Sequence, residues 1–352
     1  MAMSESQANT TIGLDLKPDT RREFLLAGAA AAALAVLPKA AMAMAESRPD
    51  ASPQAIFSLF KSLPGEVAVK IHAPAANGKP EFLVQSNSSK ALFVGSAFKS
   101  FVLCEALRQA DAPDVVKTIA RQQLALDADV WSLDSAMFNP PNLIGKVSER
   151  TALEAMIMHS DNTATDMCLK YVGPDKVRDF VASIGLKSTM IPESTRSFFG
   201  YLLGAKDYKT FTWEQLGAAA CQQMVNPPLN ATESMACSAD DFVSYYSRAL
   251  HGEFFKNKET LNQFRQVLST GDAIWRMPLP LGVSAFVKGG SIDVPGFHAL
   301  CVPGGMFFDD RWVYFCVTIN WRAAAETDPQ TVQAFAAAAS RALAMVKDAL
   351  SA

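Results

Sequence analysis

The chain has 352 residues, 49% hydrophobic and 19% charged, with a formal net charge of −3. That is the balance of a globular protein with length for a large core, and it gives no reason to expect nucleic acid or an anionic membrane as a partner. The four histidines (His72, His159, His251, His298) are scattered and no Cys-x-x-Cys occurs, so neither a metal nor another cofactor is expected.

Residues 1–45 read as an address. Thr20-Arg21-Arg22-Glu23-Phe24 has a twin-arginine pattern, an apolar run of 14 residues spans Phe24 to Leu37, Pro38 ends it, and Ala43-Met44-Ala45 offers a small-x-small cleavage site. A bilayer-spanning helix needs roughly 20 residues. A removed export signal is therefore expected, leaving residues 46–352 as a periplasmic domain without a membrane segment.

From Ser52 a short amphipathic helix is expected. Glu66-Val-Ala-Val-Lys-Ile-His and Glu81-Phe-Leu-Val-Gln then read as a hairpin around the Asn77-Gly78 turn. Phe98, Phe101, Val102 and Leu107 recur at helical spacing. Helices continue to about residue 270, the clearest having Ser238 as cap and Phe242, Tyr245, Tyr246 and Ala249 as its buried stripe. Ser284–Lys288, Phe297–Val302 and Trp312–Ile319 read as strands, and Thr331–Leu350 as an Ala-rich terminal helix. Strands from both chain ends must share one antiparallel sheet, since no helical crossover links neighbours. This predicts an α+β fold, with a sheet lobe of about 52–95 and 280–350 and a helical lobe of about 96–275. The six cysteines are not spaced as a disulfide scaffold. Cys301 and Cys316 lie symmetrically about Phe308-Asp309, so they are expected to face each other across a hairpin, as a bridge or as two packed thiols.

Three motifs carry chemistry. Ser96-Ala-Phe-Lys99 places a hydroxyl and an amine one helical turn apart. A serine needs a neighbouring base to become a nucleophile, and a desolvated lysine can supply it. Ser160-Asp161-Asn162 opens a helix; these residue types cap helices in any protein, yet here they also offer a proton relay at Ser160 and an amide holder at Asn162, with Asp161 turned away to fix the loop. Lys288-Gly289-Gly290-Ser291 ends a strand. Its glycines allow close approach, and Lys288 and Ser291 suit a substrate carboxylate.

In this order and spacing the motifs resemble the class A β-lactamases and their penicillin-binding relatives. The likeness extends to Ile157-Met-His-Ser-Asp-Asn-Thr-Ala and to Arg276-Met-Pro-Leu-Pro-Leu-Gly282, and it covers about residues 52–350. It implies a β-lactamase/transpeptidase-like fold, with a five-stranded antiparallel sheet flanked by terminal helices and a helical lobe. It also implies an oxyanion hole from the backbone N–H groups of Ser96 and Ser291. The catalytic set it implies is Ser96, Lys99, Ser160, Lys288 and an acid; Asn162, Gly290, Ser291 and Arg276 would bind a small β-lactam or acyl-peptide. Nothing requires more than a monomer.

The pattern breaks at the acid. The family's Glu-x-x-Leu-Asn, some 35 residues past Ser-Asp-Asn, is missing. Glu193 in Ile191-Pro-Glu-Ser-Thr-Arg196 is the best-placed acid, while Asn226-Pro-Pro-Leu-Asn230 keeps the Leu-Asn ending without the glutamate. About 30 extra residues lie between them, so the loop 194–236 is enlarged. Gly289 replaces the hydroxyl residue of Lys-Thr-Gly, and His298 stands where many class A enzymes have arginine. The first expectation is an exported β-lactam hydrolase acting through a Ser96 acyl-enzyme. The alternative is a DD-peptidase or esterase-like penicillin-binding enzyme without a deacylating glutamate. A non-enzymatic binding domain is the third.

Overall fold

The computed structural model describes residues 51–219 and 223–351; the export-signal reading of residues 1–45 lies outside them. Helix α1 (Pro53–Ser58) opens the described chain, with Ser52 Oγ accepting from Ala55 N at 3.3 Å. Strands β1 (Glu66–Ala73) and β2 (Phe82–Ser86) form the expected hairpin. Asn77 and Gly78 both hold positive φ, 53° and 74°, which a tight Asn-Gly turn requires.

The chain then enters the helical lobe through β3 (Leu92–Phe93) and a 3₁₀ turn, Gly95–Phe98. There follow α2 (Lys99–Gln109), α3 (Val115–Arg121), β4 (Gln123–Leu126), β5 (Gly145–Ser148), α4 (Glu149–Met158), α5 (Asn162–Val172), α6 (Pro174–Ser183) and α7 (Thr195–Leu202). After α8 (Trp213–Ala219) come β6 (Ala236–Cys237), α9 (Ala239–Ala249), α10 (Lys258–Leu268) and the single turn α11 (Ala273–Arg276). The sheet resumes with β7 (Ser284–Val287), β8 (Gly290–Val294), β9 (Phe297–Phe308) and β10 (Arg311–Trp321), and α12 (Pro329–Ser351) closes the chain. In α9 the capping expectation is met: Ser238 Oγ accepts from Asp241 N at 3.1 Å, and Phe242, Tyr245, Tyr246 and Ala249 are buried.

The main sheet runs β2-β1-β10-β9, with β7 and β8 both paired to the outer edge of β9. Six antiparallel strands thus fill the five positions expected. The sequence reading lacked β8, because the edge strand is interrupted at Lys288-Gly289 and only then resumes. Side chains alternate along β10. Val313, Phe315, Val317 and Ile319 pack with Ile56, Phe335 and Leu343 under the terminal helices, while Tyr314 and Cys316 face the helical lobe. Each fully buried aliphatic or aromatic side chain there stabilises the fold by about 1.5–3 kcal/mol. Two small two-stranded sheets, β3-β6 and β4-β5, were not anticipated.

The hairpin β9-β10 turns at Asp309-Asp310, both at positive φ, so Cys301 lies opposite Thr318 and Cys316 opposite Pro303. The two cysteines are therefore diagonal neighbours rather than directly facing. Their sulfurs are 4.0 Å apart as buried free thiols, and Thr318 Oγ1 donates to Cys301 Sγ.

Candidate active site

The turn that carries Ser96 is fastened from behind. The amide of Asn320 on β10 accepts from Phe93 N at 2.8 Å and donates to Phe93 O at 2.9 Å, serving β3 as a strand partner would. Val94 N adds a bond to Met235 O. One residue on, Gly95 takes a φ of 50°. A Cβ at Gly95 would lie 2.8 Å from Ser291 N, and one at Gly290 would lie 2.0 Å from Val94 O and 2.9 Å from Ser96 N. The 3₁₀ turn and β8 therefore abut backbone to backbone, and only glycine fits on either side. This brings Ser96, Gly290 and Ser291 together. Ser96 Oγ has no hydrogen-bond partner among the described residues.

Lys99 follows one turn later and is fully buried. Its Nζ donates to Ser160 O at 2.6 Å and to Asn162 Oδ1 at 2.7 Å, with Ser160 Oγ at 3.4 Å. Ser160 itself has a φ of 57°. Left-handed backbone at a non-glycine residue is strained and gathers at functional sites. Here it turns both the carbonyl and the hydroxyl of Ser160 toward the lysine. Asp161 anchors the turn: it is buried, caps α5 through Ala164 N at 2.8 Å, and accepts from Met137 N and Phe138 N.

From the sheet side, Lys288 reaches in at the break between β7 and β8. Its Nζ donates to Ser160 Oγ at 3.1 Å, Asp272 Oδ1 at 2.9 Å and Gly289 O at 2.6 Å. Asp272, which the sequence reading missed, also accepts from Gly289 N at 3.0 Å and so holds the Lys-Gly break open. Arg276, exposed on α11, lies near enough for its charge to act on Lys288. Ser160 Oγ thus stands between two buried amines. Burial, then repulsion from Lys288, lowers the Lys99 pKa from 10.5 to about 7, against the pull of Asp161, Asp272 and Asp166. Burial also lowers that of Lys288, with Asp272 opposing. Near neutrality Lys99 is half unprotonated. Its two short bonds then use both N–H groups and leave a lone pair free.

The acid is placed differently from the sequence expectation. The Glu193 carboxylate pairs with Arg178 on α6, at 3.2 Å and 3.3 Å, and its backbone N donates to Glu233. It makes no contact with Ser96, Lys99 or Ser160 among the described hydrogen bonds. The residue of this segment that meets the site is Thr195, fully buried, whose Oγ1 donates to Ser132 Oγ at 2.8 Å and to Asn162 O at 3.4 Å. Asp166 on α5 fixes it by accepting from Thr195 N and Arg196 N. Burial raises the Asp166 pKa to about 6, with those N–H groups opposing. Asn230 is spent on its own turn, bonding Thr232 N, Glu233 N and Glu233 O. The enlarged segment leaves α7 at Leu202 and returns there, Val225 N and Asn226 N both donating to Leu202 O. In between, Trp213 sets its ring against Trp131 with centroids 5.9 Å apart.

His298 is a packed strand residue. It is buried, stacked on Trp321 and bonded to Asp293, its cross-strand neighbour. It does not reach Lys288 or Ser160 through any hydrogen bond among the described residues.

The model of the beta-lactamase enzyme family matches residues 53–293, more than half of the chain. The chain belongs to this family. Its solved neighbours share the β-lactamase/transpeptidase fold. The extended-spectrum β-lactamase TLA-3 superposes with a TM-score of 0.65 at 16% identity, over 86% of this chain and 99% of that one. A β-lactamase from Chitinophaga pinensis DSM 2588 gives 0.63 at 15%, over 84% and 98%. The protein PBP-A gives 0.61 at 14%, over 85% and 95%. No curated protein matches the chain. As a member of the family it is a hydrolase of the serine β-lactamase type; the solved neighbours, at these identities, speak to its fold.

Proposed function

We propose that the protein opens β-lactam amide bonds through an acyl-enzyme on Ser96. The observation that carries this reading is Lys99: a buried amine with a pKa of about 7, one turn from Ser96 and bonded to Ser160 and Asn162. Neutral Lys99 takes the Ser96 proton as Oγ attacks the carbonyl. The N–H groups of Ser96 and Ser291 receive the oxyanion. The ring C–N bond then breaks and its nitrogen takes a proton from Ser160 Oγ, which Lys99 replenishes. Lys288, Ser291 and Arg276 receive the substrate carboxylate. Asn162 retains one N–H and one lone pair for the substrate amide. Water then cleaves the Ser96 ester, releasing the acid.

One observation favours a second reading, a penicillin-binding peptidase or esterase that deacylates slowly. With Glu193 tied to Arg178, the activation of that water falls to Lys99 alone. Steady-state turnover of a chromogenic cephalosporin, set beside the lifetime of the covalent adduct, separates the two. Turnover with little standing adduct supports the hydrolase. A lasting adduct without turnover supports the peptidase. Neither adduct nor turnover contradicts both. Arg21-Arg22 and the apolar run after them support export to the periplasm by the twin-arginine route. Replacing both arginines by lysine should retain the protein in the cytoplasmic fraction, and unchanged export would contradict that route.

A further inference from the structure

Asp134 is an acid at this site that the catalytic reading does not use. Asn162 links it to the centre: its Oδ1 accepts from Lys99 Nζ at 2.7 Å, and its Nδ2 donates to Leu133 O at 2.9 Å. Asp134 is the next residue. The residues on either side of it are fastened to the start of α5, with Ser132 N donating to Thr163 Oγ1 at 3.0 Å and Ser135 Oγ accepting from Thr163 N at 2.8 Å. Between those pins Asp134 takes a φ of 55°, a left-handed conformation that aspartate tolerates better than most residues. Its side chain is exposed and makes no hydrogen bond or ion pair among the described residues. Surrounding protein nevertheless pushes its carboxyl above the ordinary range, and the charge of Lys99 pulls it back. These facts describe an exposed carboxylate within electrostatic reach of Lys99, on a loop held in place beside Asn162.

We propose that Asp134 is a specificity-determining residue that pairs with an ammonium group on the acyl side of the substrate. This rests on the acyl-enzyme reading above, in which Asn162 holds the acyl amide. A substituent beside that amide then passes Asp134, one carbonyl away. At the far end Lys288 and Arg276 receive a carboxylate. The site selects zwitterionic acyl donors, with the negative end at the sheet edge and the positive end at the 132–135 loop.

Benzylpenicillin and ampicillin differ by one amino group on the acyl side, and they are the test. Acylation of the full-length mature protein is followed by intact mass at about pH 6.5, where an ordinary α-amino group (pKa about 7.7–8.0) is charged. An ion pair open to solvent on one side predicts acylation by ampicillin about 3–5-fold faster than by benzylpenicillin, the ratio shrinking as salt is added. Asp134→Asn and Asp134→Gly, both tolerant of left-handed backbone, should bring the ratio near one, and Asp134→Lys should take it below one. A wild-type ratio of one, or a ratio that Asp134→Asn leaves unchanged, overturns the proposal. Failure of benzylpenicillin to acylate the wild-type protein at all is a different result: it overturns the acyl-enzyme reading, and this proposal with it.

Discussion

Removing the charge of Lys288 should make Lys99 a stronger base while slowing the enzyme. The two amines lie 3.4 Å and 3.1 Å from the same Ser160 Oγ, so they are at most about 6.5 Å apart. At an effective dielectric constant of about 20, two unit charges at that distance repel by about 2.5 kcal/mol, close to 2 pKa units. Repulsion from Lys288 is the second cause, after burial, of the low Lys99 pKa of about 7. In Lys288→Gln the repulsion is gone and Asp272 is left unbalanced, which pushes the same way. The Lys99 pKa should rise by about 1–2 units. The assay is the acylation rate constant with subsaturating benzylpenicillin from about pH 5 to 10, where the free amine is the active form. The wild-type rate should climb with a midpoint near pH 7. In Lys288→Gln the plateau should be lower, because a charged partner for the substrate carboxylate is lost, and the midpoint should move upward by about 1–2 units. A midpoint that stays or falls, or a wild-type rate independent of pH, would refute Lys99 as the base.

Other substitutions probe the same structure. Glu193→Gln should leave turnover within about threefold and cost at most about 1 kcal/mol, because its carboxylate belongs to a half-buried pair with Arg178; an accumulating acyl-enzyme would restore it as the deacylation base. Gly290→Ala drives a Cβ to within 2.0 Å of Val94 O, so acylation should fall at least about tenfold and stability by about 1–3 kcal/mol, measured by intact mass and by urea melting. Glu149 is buried with no hydrogen-bond partner for either carboxylate oxygen among the described residues, and burial raises its pKa from 4.5 to about 7. The folded state therefore favours the protonated acid. This contribution is whole below pH 4.5 and is lost as the pH rises through 7. Relative to wild type, Glu149→Gln should gain about 2–3 kcal/mol between about pH 4.5 and 8 in urea melts, and a difference that does not change with pH would exclude the effect.

Local chemistry made part of the site legible in the sequence. The Ser96–Lys99 turn, the capping role of Asp161 and the glycines at 289–290 each follow from short-range rules, and each keeps its geometry in the fold. The β9-β10 hairpin was legible as a hairpin, but its register depended on a turn at Asp309-Asp310, one residue beyond the centre assumed. That shift places Cys301 and Cys316 diagonally. Asp272 was invisible because its partner Lys288 is 16 residues away across the lobe boundary. Counting along an enlarged loop singled out Glu193, yet the residue that meets the site is chosen by a tertiary contact, the Asp166 carboxylate gripping Thr195 and Arg196. For His298, spacing from Lys288 suggested a pocket residue; the pairing of β8 with β9 instead sets it beside Asp293.

The central claim is a covalent intermediate on Ser96. Intact-mass measurement of wild type and Ser96→Ala mixed with benzylpenicillin, followed by peptide mapping, tests it most directly. The account predicts one added penicillin on the peptide containing Ser96 in wild type and none in Ser96→Ala. Labelling that survives Ser96→Ala, or an adduct mapped to another residue, would contradict it.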